Sequence, residues 1–86
     1  MGVRLYYVYI LYSENMDRYY VGSTSDLEAR LDRHNNGESR YTKSGIPWQI
    51  MLTEEYRTRK EAMSREHHIK KWKSRKMIKK LIEGKI

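Results

Sequence analysis

The sequence predicts an α+β fold in which a small three-stranded antiparallel sheet is flanked by three helices, in the chain order ββαβαα. Three observations predict it. Two apolar, tyrosine-rich segments are separated by a turn, a third strand-like segment follows in mid-chain, and capping residues precede three helical segments. With 86 residues the chain has room for one modest core, so we expect a single domain over residues 1–86.

The first two strands form a predicted β-hairpin. Residues 5–12 are rich in β-branched and aromatic side chains, residues 13–18 have the composition of a turn, and residues 19–22 resume the apolar pattern. Gly22 stands inside the second strand, where a side chain would normally pack. Glycine at such a position indicates that a ligand or another backbone comes close.

The next segment is predicted to be a helix followed by a loop. Ser25 and Glu28 have the spacing of a capping box, so a helix should begin here and end near Asn36. Gly37 then supplies the left-handed residue with which many helices end. Residues 38–47, which contain the only proline, are predicted to be a loop.

The second half of the chain supplies the third strand and two more helices. Residues 48–56 are predicted to be a strand. A second capping box begins at Thr58, so a helix should extend from there to about Trp72. Ser74 can cap a third helix, which Gly84 closes.

Positive charge is concentrated in the last third of the chain. The formal net charge of +7 consists of −2 over residues 1–56 and +9 over residues 57–86. Such a basic segment favours polyanions, either nucleic acid or an acidic membrane surface. The chain has no cysteine, which excludes a disulfide framework, and the apolar run at residues 5–11 is too short for a signal peptide or a membrane span. We therefore expect a cytoplasmic protein without a disulfide-linked partner.

Two charged or polar side chains share the apolar stripe of the first predicted helix. At 100° per residue, Leu27, Arg30, Leu31 and His34 fall on one face. Arg30 and His34 either lie at the edge of the stripe, with the arginine extended to water, or form a cationic site that faces the sheet. The eight tyrosines, in a chain without phenylalanine, are either packing residues or bring some of their hydroxyls to a site.

Glu66 lies on the apolar face of the second predicted helix, near Ala62 and Ile69. A buried carboxylate must be paired, protonated or bound to a metal ion, because a bare charge is costly to bury. A structural ion pair and a metal site both satisfy this requirement. Because two separate helices each direct a charge inwards, we favour a shared functional site.

These residues resemble the pattern of the GIY-YIG nuclease superfamily. Tyr7-Val8-Tyr9 and Tyr20-Val21-Gly22 are similar to its two name motifs, with Tyr7 in place of the first glycine, and Arg30 follows. The intervals of 11 residues from Tyr9 to Tyr20 and of 10 residues from Tyr20 to Arg30 are those of the family motif. Nearly the whole chain is similar to small stand-alone bacterial members of this superfamily.

The resemblance implies a metal-dependent endonuclease. It implies that Tyr9 and Tyr20 face the scissile phosphate, that Arg30 binds it, and that Glu66 holds one Mg²⁺ or Mn²⁺ ion, with His34 nearby. The general base is either Tyr9 or His34. A phenol with an ordinary pKa of about 10 needs Arg30 or the metal to lower it, whereas imidazole titrates near neutrality.

A basic surface is predicted beside this site. DNA is the expected partner, with RNA as the alternative, and the protein is expected to be a monomer with little sequence preference. Neighbouring residues of a helix diverge by about 100°, so His67 and His68 are predicted to be surface residues rather than joint metal ligands. The residues expected to contact nucleic acid are Lys70, Lys71, Lys73, Arg75 and Lys76, together with Arg40 and Lys43.

Two alternatives belong to other classes of function. One is a binding module that keeps the fold and the basic face but cuts poorly. The other is peripheral association with a membrane through the basic carboxy-terminal helices. The apolar positions of the last helix, at Met77, Ile78, Leu81 and Ile82, are more simply explained as core residues.

Overall fold

The computed structural model describes residues 4–86, so residues 1–3 of the predicted domain lie outside the described part. The predicted element order ββαβαα is confirmed, with boundaries within two residues of those expected. The strands are β1 (Tyr6–Ser13), β2 (Arg18–Thr24) and β3 (Trp48–Tyr56), and the α-helices are α1 (Leu27–Asn35), α2 (Arg59–Trp72) and α3 (Arg75–Ile82). A short 3₁₀ helix, Lys43–Gly45, lies in the loop before β3.

The sheet is antiparallel and has the strand order β2-β1-β3. Its central strand, β1, pairs with both neighbours, so Tyr9 lies opposite Gly22 of β2 and opposite Thr53 of β3. The pairing of β1 with β3 shifts between Ile10 and Leu11. Strands β2 and β3 are therefore the two edges within the described residues.

The two faces of the sheet carry separate apolar clusters. Helices α2 and α3 cover one face, and α1 covers the other. The first cluster contains Val8, Ile10, Val21, Ala62, Ile69 and Leu81. The second contains Tyr9, Leu11 and Trp48, with Leu27, Leu31 and Ile46 packed against them. Alternate residues of β1 thus face opposite layers, as the period of a strand requires.

Helix α3 packs its apolar side inwards. Leu81 is buried, and Ile78 and Ile82 pack against the first cluster. These side chains are therefore core residues, as the sequence indicated. Within residues 4–86, no helix is both long enough and apolar enough to cross a membrane.

The amino terminus of α1 differs from the prediction, because Asp26 and not Ser25 is the cap. The Asp26 side chain accepts a hydrogen bond from the backbone N–H of Ala29 at 3.1 Å. The Thr24 hydroxyl accepts from the N–H of Asp26 at 3.1 Å, which fixes Asp26 in an extended conformation one residue later than expected. A carboxylate is also favoured over a hydroxyl by the positive end of the helix dipole.

The other predicted helix ends are confirmed. The Thr58 hydroxyl accepts from the N–H of Glu61 at 3.1 Å, and the Ser74 hydroxyl accepts from the N–H of Met77 at 3.2 Å. Gly37 has a φ of 77°, the left-handed conformation that allows α1 to end there.

Gly22 lies against the side chain of its cross-strand neighbour. A β-carbon at this position would overlap the ring and hydroxyl of Tyr9, its cross-strand neighbour. The absence of a side chain at residue 22 therefore allows the Tyr9 ring to lie across β2. The glycine of the second motif has a direct structural role in placing the tyrosine of the first.

We expect Gly22→Ala to destabilise the protein by about 1–3 kcal/mol, because overpacking forces the Tyr9 ring out of its position. The free energy of unfolding in urea, followed by circular dichroism, measures this effect. In a Tyr9→Ala background the same change should cost nothing or be slightly stabilising, since alanine suits a strand better than glycine. An equal cost in both backgrounds would contradict the contact.

Candidate active site

Tyr9 and His34 form the buried centre of the candidate site. Their side chains are 2% and 3% exposed, and the Tyr9 hydroxyl lies 3.2 Å from Nε2 of His34. Tyr9 comes from the central strand and His34 from the last turn of α1. The predicted inward orientation of His34 thus brings it directly to the phenol.

Tyr20 extends the aromatic cluster towards solvent. The centroid of its ring lies 6.4 Å from that of Tyr9, 5.0 Å from that of His34 and 6.3 Å from that of Trp48. Tyr20 is half-buried and lines an open cleft of about 480 Å³ together with Lys70 and other residues. It therefore connects the buried phenol to a surface that a large ligand can reach.

Arg30 lies one turn before His34 on α1, and Arg30 and Tyr9 line the same narrow gap between α1 and the sheet. Burial raises the pKa of Tyr9 to about 12, and the nearby Tyr20 acts in the same direction, whereas the Arg30 guanidinium opposes the rise. The mechanism implied by the family resemblance requires a lowered pKa for Tyr9 if this residue is the general base. Burial outweighs Arg30, so the phenol is protonated at neutral pH.

His34 is favoured in its neutral form. Burial lowers its pKa below the usual value, and the positive charges of Arg30 and Arg33 lower it further. The cationic site that the sequence suggested therefore has one permanent charge, on Arg30, beside a neutral imidazole.

A hydrogen-bond network that sequence analysis missed holds the imidazole. Nδ1 of His34 lies 2.7 Å from the hydroxyl of Thr42, which is fully buried. The carbonyl oxygen of Thr42 accepts from the indole N–H of Trp48 at 2.7 Å, and Asn35 bonds to both backbone groups of Trp48. No local sequence pattern pairs Thr42 with His34, because the two residues meet only through the fold of the loop.

Glu66 belongs to the helical layer on the opposite face of the sheet from α1. It lies on α2, and one carboxylate oxygen accepts from the Ser23 hydroxyl on β2 at 2.5 Å. The other oxygen is 2.5 Å from the ammonium of Lys70, one turn further along α2. Its side chain is 20% exposed, and its charge contributes to raising the pKa of Tyr9. Glu66 therefore forms the ion pair that was one of its two predicted roles, at the edge strand beside Tyr20.

The predicted nucleic-acid residues are all exposed, but they differ in their contacts. Lys70 and Lys73 line the cleft beside Tyr20, and the Lys70 ammonium lies 5.8 Å from the centre of the Tyr20 ring. Arg75 binds both the carboxylate and the backbone carbonyl of Asp17 in the hairpin turn. The structure thus gives Arg75 a role in joining α3 to the hairpin.

The remaining predicted residues are also on the surface. Arg40 and Lys43 are exposed in the loop between α1 and β3. His67 and His68 are exposed, and no group of three or more His, Asp or Glu side chains within residues 4–86 is arranged to hold a metal ion.

Comparisons with known proteins agree with this architecture. The GIY-YIG catalytic domain family matches residues 5–80. The chain is 36% identical over 80 residues to a UPF0213 protein of Staphylococcus saprophyticus, which covers 92% of this chain and 96% of the relative. It is 39% identical over 80 residues to a UPF0213 protein of Haloquadratum walsbyi, which covers 92% of this chain and 89% of the relative.

A solved structure is also similar. The solution NMR structure of the UPF0213 protein of Bacillus halodurans matches with a TM-score of 0.60 and 30% identity, over 94% of this chain and 85% of that chain. The resemblance seen in the sequence is therefore confirmed over nearly the whole length of this protein. The chain belongs to the GIY-YIG catalytic domain family.

Proposed function

We propose that this protein is a nuclease that hydrolyses phosphodiester bonds, with DNA as its main substrate and little sequence preference. The observation that supports this proposal best is that Tyr9 lies close to Arg30 and next to Tyr20, which lines a cleft together with Lys70 and Lys73. Two phenols, a guanidinium and nearby ammonium groups match the needs of a reaction in which negative charge develops on phosphate oxygens. Membership of a nuclease superfamily supports the same function.

Arg30 is the proposed phosphate-binding residue. Among residues 4–86 it has no carboxylate partner, and it is half-buried beside the Tyr9 phenol. Its planar fork can donate two hydrogen bonds to one phosphate group, which a lysine cannot imitate. Because no carboxylate of the described residues neutralises it, the Arg30 charge is available to a phosphate group.

Tyr9 is the proposed general base, with His34 as its alternative. Both groups lie at the same point of the site, joined by a hydrogen bond. Tyr9 has to lose its proton to act, and Arg30 assists by stabilising the phenolate. His34 already has an unprotonated nitrogen at neutral pH, because its pKa is lowered.

The donor set suits one hard divalent ion. Glu66 offers a half-buried carboxylate, and the Ser23 hydroxyl lies beside it. A single carboxylate is enough for Mg²⁺ or Mn²⁺, which keeps most of its water and takes further oxygens from a bound phosphate. When bound, the ion supplies positive charge that stabilises the leaving oxygen. Glu66 is accordingly the proposed metal ligand.

The exposed lysines are proposed to contact successive phosphate groups of the nucleic-acid backbone. Lys71, Lys73 and Lys76 make no ion pair within the described residues, so their charges are available to a polyanion. Lys73 adopts a left-handed backbone conformation, with a φ of 48°, at the junction of α2 and α3. Glycine usually occupies such a position. A lysine here destabilises the fold by about 1 kcal/mol relative to glycine, and a role of its side chain in binding would explain why it is present.

A nucleic-acid-binding module with weak or no cleavage is the second candidate. It is favoured by the ion pair between Glu66 and Lys70, which engages the proposed metal ligand. The basic surface serves both candidates equally, so only a cleavage assay separates them.

The nuclease proposal predicts cleavage of at least one of supercoiled, linear, branched or single-stranded DNA in the presence of Mg²⁺ or Mn²⁺. Arg30→Ala and Glu66→Gln should each lower the rate by at least about a hundredfold, since each removes a charge that acts on the reacting phosphate. Arg57→Ala, at an exposed arginine outside the site, is the matched control. Activity that survives both site variants would point to a contaminant, and binding without cleavage on every substrate would favour the binding module.

The cleavage rate should rise with pH from about pH 6 to about pH 9 without levelling off, if Tyr9 is the base. The reason is that burial raises the pKa of Tyr9 to about 12, so the reactive phenolate fraction grows throughout this range. With His34 as the base the rate would level off by about pH 7, because its pKa lies below the ordinary value. Single-turnover rates measured across the range, with circular dichroism as a control for folding, distinguish the two.

Binding to DNA should weaken steeply with salt. For duplex DNA, the slope of log affinity against log salt concentration should fall by about 0.9 for each lysine whose phosphate contact is removed. Lys71→Gln, Lys73→Gln and Lys76→Gln are the test variants, and Lys60→Gln at the exposed start of α2 is the control. Fluorescence anisotropy provides the affinities. A slope that is the same for the triple variant and the unmodified protein would show that these lysines do not contact phosphate.

A further inference from the structure

A chain of three buried polar groups crosses the candidate site. The Tyr9 hydroxyl lies 3.2 Å from Nε2 of His34, and Nδ1 of His34 lies 2.7 Å from the Thr42 hydroxyl. Their residues are 2%, 3% and 0% exposed. A neutral imidazole and two hydroxyls carry three protons, but the chain has only two hydrogen bonds, so one hydroxyl proton must point out of the chain.

The partner of the Thr42 hydroxyl bears on which nitrogen of His34 carries the proton. Within residues 4–86, Nδ1 of His34 is the only hydrogen-bond partner of this hydroxyl. If Nδ1 carried a proton, it would donate to the threonine oxygen, and the threonine's own proton would be buried without an acceptor. If Nδ1 is unprotonated, the hydroxyl donates to it and both groups are satisfied.

The backbone of Thr42 holds the hydroxyl in this position. Its carbonyl oxygen accepts hydrogen bonds from the indole N–H of Trp48 at 2.7 Å and from the N–H of Gly45 at 3.1 Å. Its own N–H donates to the carbonyl of Ser39 at 3.2 Å. A β-carbon on Gly45 would overlap the Trp48 ring, so this corner has little freedom to rearrange.

We propose that Thr42 is a positioning residue that fixes His34 as the Nε2-protonated form, so that His34 donates a hydrogen bond to the oxygen of Tyr9. In this form His34 has no free lone pair facing Tyr9 and cannot take its proton. The hydrogen bond stabilises the phenolate. The Tyr9 proton is then the one that leaves the chain, because Tyr9 keeps 2% exposure and its ring centroid lies 6.4 Å from that of Tyr20, whereas Thr42 is fully buried. This inference rests on the proposed nuclease function, and it identifies Tyr9 as the general base.

Nitrogen-15 NMR on the complete protein with labelled histidine tests the tautomer directly, without substrate or metal. Protonated and unprotonated imidazole nitrogens of a neutral ring resonate in separate regions, and couplings to the ring carbon protons tell Nε2 from Nδ1. The expected result at pH 8 is one form, with a protonated Nε2. The exposed His67 and His68 provide internal references, and His34→Asn assigns the buried ring. A protonated Nδ1 overturns the inference.

Variants at Thr42 separate positioning from stability. Thr42→Val keeps the shape but removes the hydroxyl, so the His34 signals should change to the Nδ1-protonated form or to a mixture. Thr42→Ser should restore the Nε2-protonated form. Thr24→Val removes another buried threonine hydroxyl, one that bonds to Asp26, and should leave the tautomer unchanged. An unchanged tautomer in Thr42→Val would show that the hydroxyl does not control it.

Kinetics supply a second, independent measurement. Thr42→Val should lower kcat by about tenfold with little change in KM, because it removes a hydrogen bond behind the reacting group and no contact with the substrate. Thr42→Ser should recover most of the loss. If no cleavage is found on any substrate, the nuclease proposal fails while the NMR result stands. If cleavage is found but Nδ1 carries the proton, the tautomer inference alone fails.

Discussion

The contact between Tyr9 and His34 is the interaction on which the candidate site depends. It joins the central strand to α1 and is buried at both ends. Gly22 provides the space in which the phenol ring of Tyr9 lies. The glycine of the second family motif therefore positions the tyrosine of the first motif through packing. Because Arg30 lies one turn before His34 on the same helix, the same contact also sets the position of the guanidinium relative to the phenol.

The site lies where the two layers of the structure meet at an open strand edge. A sheet separates the helices on its two faces, so α1 and α2 do not meet through it. Strand β2 has no partner on its outer side within the described residues, and Glu66 and Lys70 extend along that edge. Ser23 holds the carboxylate there, and the Tyr20 ring lies beside the ammonium. An edge position also leaves room for a large polyanion.

Contacts between residues close together in the sequence were predicted correctly, whereas contacts between residues far apart in the sequence were missed. The caps at Thr58 and Ser74 were correct because each bonds to an N–H three residues away. The cap of α1 was displaced to Asp26 by a hydrogen bond with the end of the preceding strand, which no capping pattern includes. Thr42 meets His34 only because a loop folds back, and Arg75 meets a turn that lies 58 residues earlier.

In the free protein, neither Tyr9 nor Glu66 is in the form that the proposed reaction requires. The Tyr9 phenol keeps its proton because burial disfavours the phenolate, and Glu66 shares its charge with Lys70. The Lys70 ammonium lies beside the Tyr20 ring as well as beside the carboxylate, so an anion that enters the cleft meets a cation whose charge is already partly neutralised.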